Sequence, residues 1–348
     1  MKPQVIATYT EVASKFFGNG ASLHDAGGQA KNIIEVARAI IAAQLHVDKE
    51  GVIFTGSGTE GNILAIVSLA KVSGKRHIIT TQAEHTSVHA AMNILQQQGY
   101  RVTKLPLQQN GIIDLRVVEE AISDDTALLS IQHVNSEVGA IQPIEEIAQL
   151  AKKHSVLFHT DCVQSFGKLP IKVAADAITV SAHKIGGPKG CGALYLNRHL
   201  NVPSLTPGVT HELGLRGGTL DTPAIAAFAH AAKIMDYQRA HYTQLRSQLV
   251  EQLDDAFTIV ECKNQLPSIC GIFSKRYEGQ YILLGANDKG IAISTGSACD
   301  IFSENSTKAI QAMGYNKEQT RRFFRVSMGE YTTIESIGEL AETLNKII

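Results

Sequence analysis

Cysteine is scarce in this chain of 348 residues. Cys162, Cys191, Cys262, Cys270 and Cys299 are odd in number, and no Cys-x-x-Cys pair occurs. That pattern argues against a disulfide framework and against a thiolate metal site. One or two thiols at most remain for chemistry, with buried structural cysteine the default for the others. Net charge is equally small, at -1. There is no basic tract, hence no general pull toward nucleic acid or an anionic membrane. No apolar run approaches the ~20 residues that span a bilayer. The start, "MKPQVIATYTEV", lacks the basic and apolar regions of a signal peptide. These absences predict a soluble cytoplasmic protein with no membrane and no direct nucleic-acid partner. What is present, 44% hydrophobic residues over this length, suggests roughly two domains and a core large enough to fold alone.

Short β-branched runs alternate with helical patterns through the first two thirds. The runs are "GVIFT" (51–55), "RHIITT" (76–81), "RVTKLPL" (101–107), "TALLSIQ" (126–132), "VLFHT" (156–160), "AITVSAH" (177–183) and "CGALYLN" (191–197). Seven strands separated mostly by helices imply an α/β fold with a largely parallel sheet. The last run follows its predecessor after a short loop, which suits an antiparallel strand. From about Ala224 the pattern changes to one long helical region through "DDAF". Then come "TIVEC", "ICGIFSK", "YILLGANDKG", "IAIST" and closing helices. The expected division is a large domain over 1–236 and a smaller α+β domain over 237–348.

In such folds ligands bind beyond the carboxyl ends of the strands. After "VIFT" comes "GSGTEGN" (56–62), in which Gly58 and Thr59 would open a helix and offer free N–H groups to a phosphate. No Lys-Ser/Thr pair follows, so this is not a P-loop. Next come His85 in "QAEHTSVH", Asn135 in "HVNSEVG", Asp161 and Gln164 in "DCVQSFG", and Ser181, His183 and Lys184 in "SAHKIGGPKG". His85 and His89 could share a helical face, but Thr86 stands where a zinc protease needs glutamate, so no metal is expected. Pyridoxal phosphate uses this kind of set. It needs a lysine for a Schiff base, a carboxylate on the pyridine nitrogen and a phosphate cup. Buried among apolar neighbours, Lys184 would carry no charge as an internal amine or imine.

The segments "FTGSGTEGN", "EHTSVHAA", "HVNSEVGAIQPI", "FHTDCVQSFGKLPI", "SAHKIGGPKGCGALYL", "GVTHELGLRGGTL", "STGSACD" and "RVSMGEYTT" resemble, in order, the pyridoxal-phosphate-dependent cysteine desulfurases (NifS/IscS-like) of the class V aminotransferase superfamily. The resemblance implies a fold-type I transferase with a seven-stranded, mostly parallel sheet plus a smaller α+β domain. It implies Lys184 as the Schiff-base lysine, Asp161 on the pyridine nitrogen, Gln164 toward the ring hydroxyl and His85 stacked on the ring. Gly58, Thr59, Ser181 and His183 would surround the phosphate, and Thr219 would reach the partner subunit's cofactor in a homodimer. Asn135 and Arg325 would hold the substrate, with Arg325 on its carboxylate, and Cys299 would receive sulfur. L-cysteine would become L-alanine through an external aldimine, with a Cys299 persulfide passing sulfur to an acceptor protein. Iron–sulfur cluster assembly or thiolation would be the destination. "VLFHTDCVQSFGKLPI" and "EGQYILLGANDKGIAISTGSAC" are most similar to the branch linked with NAD biosynthesis. A selenocysteine lyase, another class V enzyme or a catalytically impaired paralogue remain open at this point.

The chain departs from the family pattern in places. Members usually carry a strand of the type "YLDNAATTP" before the region matching "MKPQVIATY", and this chain starts after it. Ser136 stands where many members have a second asparagine. Gly186 replaces a usual aromatic after "HKI", which predicts a looser loop around Lys184. The chain ends soon after "LNKII", without the long tail by which some members dock scaffold proteins, which suits a different sulfur acceptor.

Overall fold

The computed structural model describes residues 1–205, 208–296 and 307–348. Two helices the sequence reading did not place, α1 (Pro3–Lys15) and α2 (Asp25–Leu45), precede the sheet. The sheet then alternates with helices: β1 (Val52–Thr55), α3 (Gly58–Ala70), β2 (His77–Thr81), α4 (Thr86–Gln97), β3 (Arg101–Leu105), α5 (Leu115–Ala121), β4 (Thr126–Ser130), α6 (Ile144–Lys153), β5 (Leu157–Asp161), β6 (Ala177–Ser181) and β7 (Gly192–Leu196). The strand order is β1-β7-β6-β5-β4-β2-β3. β7 runs antiparallel to both its neighbours, β1 and β6, while the other pairs are parallel. The seven-stranded, mostly parallel sheet and its antiparallel last strand are as the sequence predicts. Because β1 and β6 both oppose β7, β1 points the same way as the parallel set. The carboxyl ends of β1, β2, β4, β5 and β6 therefore share one edge.

Helices cover both faces. On one, α3 and α4 pack Ala65, Ile66, Leu69, Val88 and Met92 onto Ile53, Ile78 and Leu128. On the other, side chains of α2, α6 and α7 (Thr222–Ile234) join Phe54, Leu129, Phe158 and Val180. Fully burying a side chain such as Phe158 contributes about 1.5–3 kcal/mol. α3 is buried along most of its length. Gly61 permits its close approach to the sheet, since a Cβ there would lie 2.8 Å from Thr179 Cγ2. Polar groups inside the sheet are paired. His159 on β5 bonds Ser130 Oγ at 2.9 Å and Thr179 Oγ1 at 3.1 Å, and burial pushes its pKa down to about 3.

The long helical region expected after Ala224 is two helices, α7 and α8 (Arg239–Gln252). Met235 turns extended between them. The break lets Tyr237 stack on Tyr242, with ring centroids 4.6 Å apart, and donate to Ser268 Oγ at 3.0 Å. A second sheet follows, ordered β10-β9-β8 and antiparallel, from β8 (Phe257–Ile259), β9 (Ile269–Ser274) and β10 (Phe323–Ser327). "YILLGANDKG" forms most of α9 (Gly279–Asp288), and "IAIST" pairs only through a Ser294–Arg325 bridge rather than as a strand. Ile291 and Ile293 instead pack onto the core of this sheet, which α8, α9 and α12 (Ile334–Ile347) cover. Short helices α10 (Lys308–Ala312) and α11 (Lys317–Arg321) lead into β10. Among the described residues, no helix is long and apolar enough to cross a membrane.

Candidate active site

A cavity of about 300 Å³ opens at the common carboxyl edge of the strands. It is lined by Gly58, Thr59, His85, Asp161, Gln164, Ser181, His183, Lys184 and Arg325, together with Ser57, Asn62, Gln132, Val134, Ser136 and Val163. Nine residues singled out from the sequence thus line one cavity. The remaining three are Asn135, Thr219 and Cys299. Asn135 is buried between two lining residues, and its side chain is engaged with backbone. Its Nδ2 donates to Ala83 O at 3.0 Å, and its Oδ1 accepts from the N–H groups of Glu137 and Val138. Nδ2 carries a second N–H, so a substrate contact from Asn135 need not break these bonds. Thr219 is exposed and outside this chain's cavity. Cys299 lies outside the described residues.

The phosphate end is built by α3. Ser57 caps the helix, accepting from Glu60 N at 3.2 Å, and the Glu60 carboxylate reaches back to Gly56 N. The first helical N–H groups, at Gly58 and Thr59, lack intrahelical acceptors, as at any helix start. They carry the positive end of the helix dipole. Gly58 has a packing reason as well, because a Cβ there would lie 2.7 Å from Val163 Cγ2 on the turn after Asp161. Ser181 Oγ and His183 Nδ1 are hydrogen-bonded at 2.8 Å on the facing wall.

Asp161 forms the floor. Its Oδ2 accepts from Asn62 Nδ2 at 2.7 Å and its Oδ1 from Val163 N at 2.9 Å. Asn62 also donates to Ser87 Oγ at 2.9 Å, and Ser87 Oγ lies 2.8 Å from His85 Nδ1. A continuous path of hydrogen bonds therefore links His85 to Asp161. Ser87 N donates to the same Nδ1 at 3.2 Å, making it an acceptor and placing the neutral ring's proton on Nε2. Glu84 sits behind His85, accepting from Thr81 Oγ1 at 2.7 Å and from Gln132 N. Burial pushes its pKa up to about 8, with the nearby Asp161 charge acting in the same direction.

Lys184 is exposed on this chain, in the short 3₁₀ turn Ala182–Ile185. The expectation of a costly buried ammonium is therefore corrected, since the cavity wall at this point is open. Gly186 does not loosen the turn. It takes the left-handed cap, φ 79°, where a side chain would be strained, and Gly187 N closes onto Ala182 O at 2.9 Å. Arg325 enters from β10 of the second sheet. Its Nη1 donates to the Ser136 carbonyl at 2.8 Å, and its Nε is buried without a partner among the described residues. Ser136 thus serves through its backbone, whatever its side chain. Cys162, Cys191, Cys262 and Cys270 are free thiols that burial pushes up to about 12, 12, 12 and 11, too high for a thiolate nucleophile. No metal-binding cluster of His, Cys, Asp and Glu occurs among the described residues.

The donor set suits pyridoxal phosphate. N–H groups, a hydroxyl and an imidazole face one end, a supported carboxylate lies at the floor, and an amine stands at the wall. Arg325, with an unpartnered N–H, matches a carboxylate ligand at the far side. Sequence reasoning missed Asn62 and Ser87, which bond Asp161 and His85, and Glu84, which precedes His85 and binds Thr81 and Gln132. Their signal was proximity to named residues in "GTEGN" and "AEHTS", which the fold alone turns into contact.

Comparison with known proteins bears on the same site. The family description Aminotransferase class-V matches residues 1–340. The cysteine desulfurase IscS of Rickettsia typhi (strain ATCC VR-144 / Wilmington) is 36% identical over 351 residues, spanning 96% of this chain and 85% of that protein. A solved structure named NifS-like protein superposes with a TM-score of 0.92 at 30% identity, covering 100% of this chain and 96% of its own. SspA in complex with cysteine gives a TM-score of 0.86 at 33% identity, covering 96% and 97%.

Proposed function

We propose that this chain, which belongs to the aminotransferase class-V family, is a pyridoxal-phosphate-dependent cysteine desulfurase that converts L-cysteine to L-alanine and loads the sulfur onto Cys299. The observation carrying this reading is the meeting of Lys184, Asp161 and His85 with Arg325 around one cavity. Similarity to proteins named cysteine desulfurase and to a cysteine complex supports the substrate.

When bound, pyridoxal phosphate supplies an aldehyde carbon for condensation with amines and a ring that takes up electrons released at the substrate's α-carbon. The chain's own residues do the rest. The α3 N–H groups with Ser181 and His183 hold the phosphate. Asp161, fixed by Asn62 and Val163 N, keeps the pyridine nitrogen protonated. Arg325 orients the substrate carboxylate through a planar fork. Lys184 Nζ, freed as an amine, takes the α-proton. Cys299, as thiolate, attacks the substrate sulfur, so an S–S bond forms while the substrate's C–S bond breaks. The bond's electron pair stays on carbon, which is protonated to give alanine.

Beyond the site, this reading takes 1–236 as the cofactor-binding unit and 237–348 as the unit carrying Cys299 and Arg325. It takes the working form as a homodimer in which Thr219, exposed here, completes the partner's phosphate site. The sulfur passes to an acceptor protein, for iron–sulfur cluster assembly or for thiolation, and an iron–sulfur enzyme of NAD biosynthesis is one such acceptor by likeness to that branch. Purified protein given pyridoxal phosphate should turn yellow, and borohydride should fix the cofactor on Lys184. Cysteine with a reductant should then give alanine and sulfide in equal amounts. A protein that stays colourless would sink the cofactor reading, and unchanged sulfide release in Cys299→Ala would sink the persulfide step.

A further inference from the structure

One cation beside the cavity has no role in the reading above. Lys168 follows Asp161 and Gln164 in the turn after β5 and is half-buried. Its Nζ donates to Gln164 Oε1 at 3.3 Å. Among the described residues no carboxylate pairs with it, and the charges that face it are both cationic or potentially so, Lys184 and His183. The turn leaves it little freedom. Gly167 packs against Ile185, one residue past Lys184, and against Met235, while Lys168 N is bonded to Ser165 O. A partly desolvated ammonium beside a second lysine, without an anion, is destabilising for the fold, and such arrangements concentrate at functional sites.

The contact also settles the amide. An ammonium can only donate, so the Gln164 atom facing it must be Oε1. Nε2 is then the end left to present to the cavity that Gln164 lines. We propose that Lys168 is a positioning residue for the cofactor site: it holds Gln164 Oε1 so that the amide N–H groups face the ring hydroxyl of bound pyridoxal phosphate, and its charge opposes a proton on Lys184. The inference rests on the cofactor reading above and assigns Lys168 no contact with the reacting atoms. Both effects act in one direction. A donor on the ring oxygen and a cation near Lys184 each favour the deprotonated form of the bound cofactor–lysine unit.

The test is a pH titration of the visible absorbance of pyridoxal phosphate bound to the full chain, without substrate. In Lys168→Met the midpoint should rise by about half a unit or more, and apoprotein should bind the cofactor several-fold more weakly. Lys168→Arg, which keeps charge and donor, should return both toward wild type. A merely structural lysine would change melting temperature and leave the midpoint in place. Should Lys168→Met fail to fold, Lys168→Gln carries the same test, since it keeps a donor to Gln164 and removes the charge. A midpoint within about 0.2 units of wild type in either folded, coloured variant overturns the inference. Failure of the cofactor reading itself would look different, because wild type would remain colourless.

Discussion

Arg325 meets the cavity with one nitrogen committed to the Ser136 carbonyl and another, Nε, buried without a partner among the described residues. A buried donor is stabilised by an acceptor, and a substrate carboxylate supplies one. Lysine cannot reproduce the planar fork. Arg325→Lys should therefore raise KM for cysteine and lower kcat/KM by on the order of 10- to 100-fold, the loss of one or two charged hydrogen bonds at about 1.5–3 kcal/mol. Bound cofactor should keep its colour, and steady-state kinetics beside an absorbance spectrum separates the two effects. Glu84 gives a stability prediction. Its folded pKa, about 8, lies above the ordinary value of 4.5. Between those values the folded state binds more protons than the unfolded state, so its contribution is full below about pH 4.5 and is lost as pH rises toward 8. Glu84→Gln stays neutral throughout. Urea denaturation across that range should show a flatter decline with pH in Glu84→Gln than in wild type, and an identical slope would contradict the assignment.

At the scale of elements, the site depends on where helices begin. α3 and α4 each start just past a strand end, α3 capped by Ser57 and α4 by His85 itself. Asn62, one turn into α3, joins the two by donating to both Ser87 and Asp161. Asn62→Ala should leave Asp161 with Val163 N as its remaining donor among the described residues and cut the path to His85. The expected outcome is a stability loss of about 1–3 kcal/mol with cofactor affinity roughly tenfold lower, since 1.4 kcal/mol corresponds to a factor of ten. Thermal melts and an apoprotein titration measure both, and unchanged affinity would mean Asp161 needs no such support. Element types were legible where a local pattern is strong. Runs with an apolar centre such as "TALLS" became fully buried strands, and "IEEIAQLAKK" became a helix with acids in its first turn and lysines in its last. The type of "IAIST" was not legible, because whether a short β-branched stretch pairs depends on the strand it meets, here β10 at Ser294.

For the molecule as a whole, one buried ion pair ties distant segments. Arg38 on α2 grips Glu212 with both guanidinium ends, at 2.8 and 3.1 Å, and Glu212 also accepts from Phe54 N on the sheet-edge strand β1. Glu212 and Leu213 hold positive φ, 46° and 58°, in the segment that leads to Thr219. The clamp therefore closes a sheet edge and fixes the stretch proposed to reach a partner subunit. Glu212→Ala removes the bidentate partner of Arg38, which keeps Glu35 and the Val52 carbonyl, leaves the Phe54 N–H without its acceptor, and should cost about 3 kcal/mol, read by denaturant melts. Sedimentation of that variant should also show weaker self-association if the stretch forms the dimer contact.

The sequence by itself determined the periodicities, and with them the alternating α/β order, the antiparallel β7 and the strand-end residues Asp161, His85 and Lys184. These are local properties, set by which side chains follow one another. Only the tertiary structure decided which strand ends share an edge, that Arg325 crosses from the second sheet to the same cavity, and that Asn62 and Ser87 bridge His85 to Asp161. It also decided that Lys184 stands exposed rather than buried, and that Lys168 turns toward Gln164. Those facts depend on contacts between residues far apart along the chain, which sheet order and helix packing alone bring within hydrogen-bonding distance.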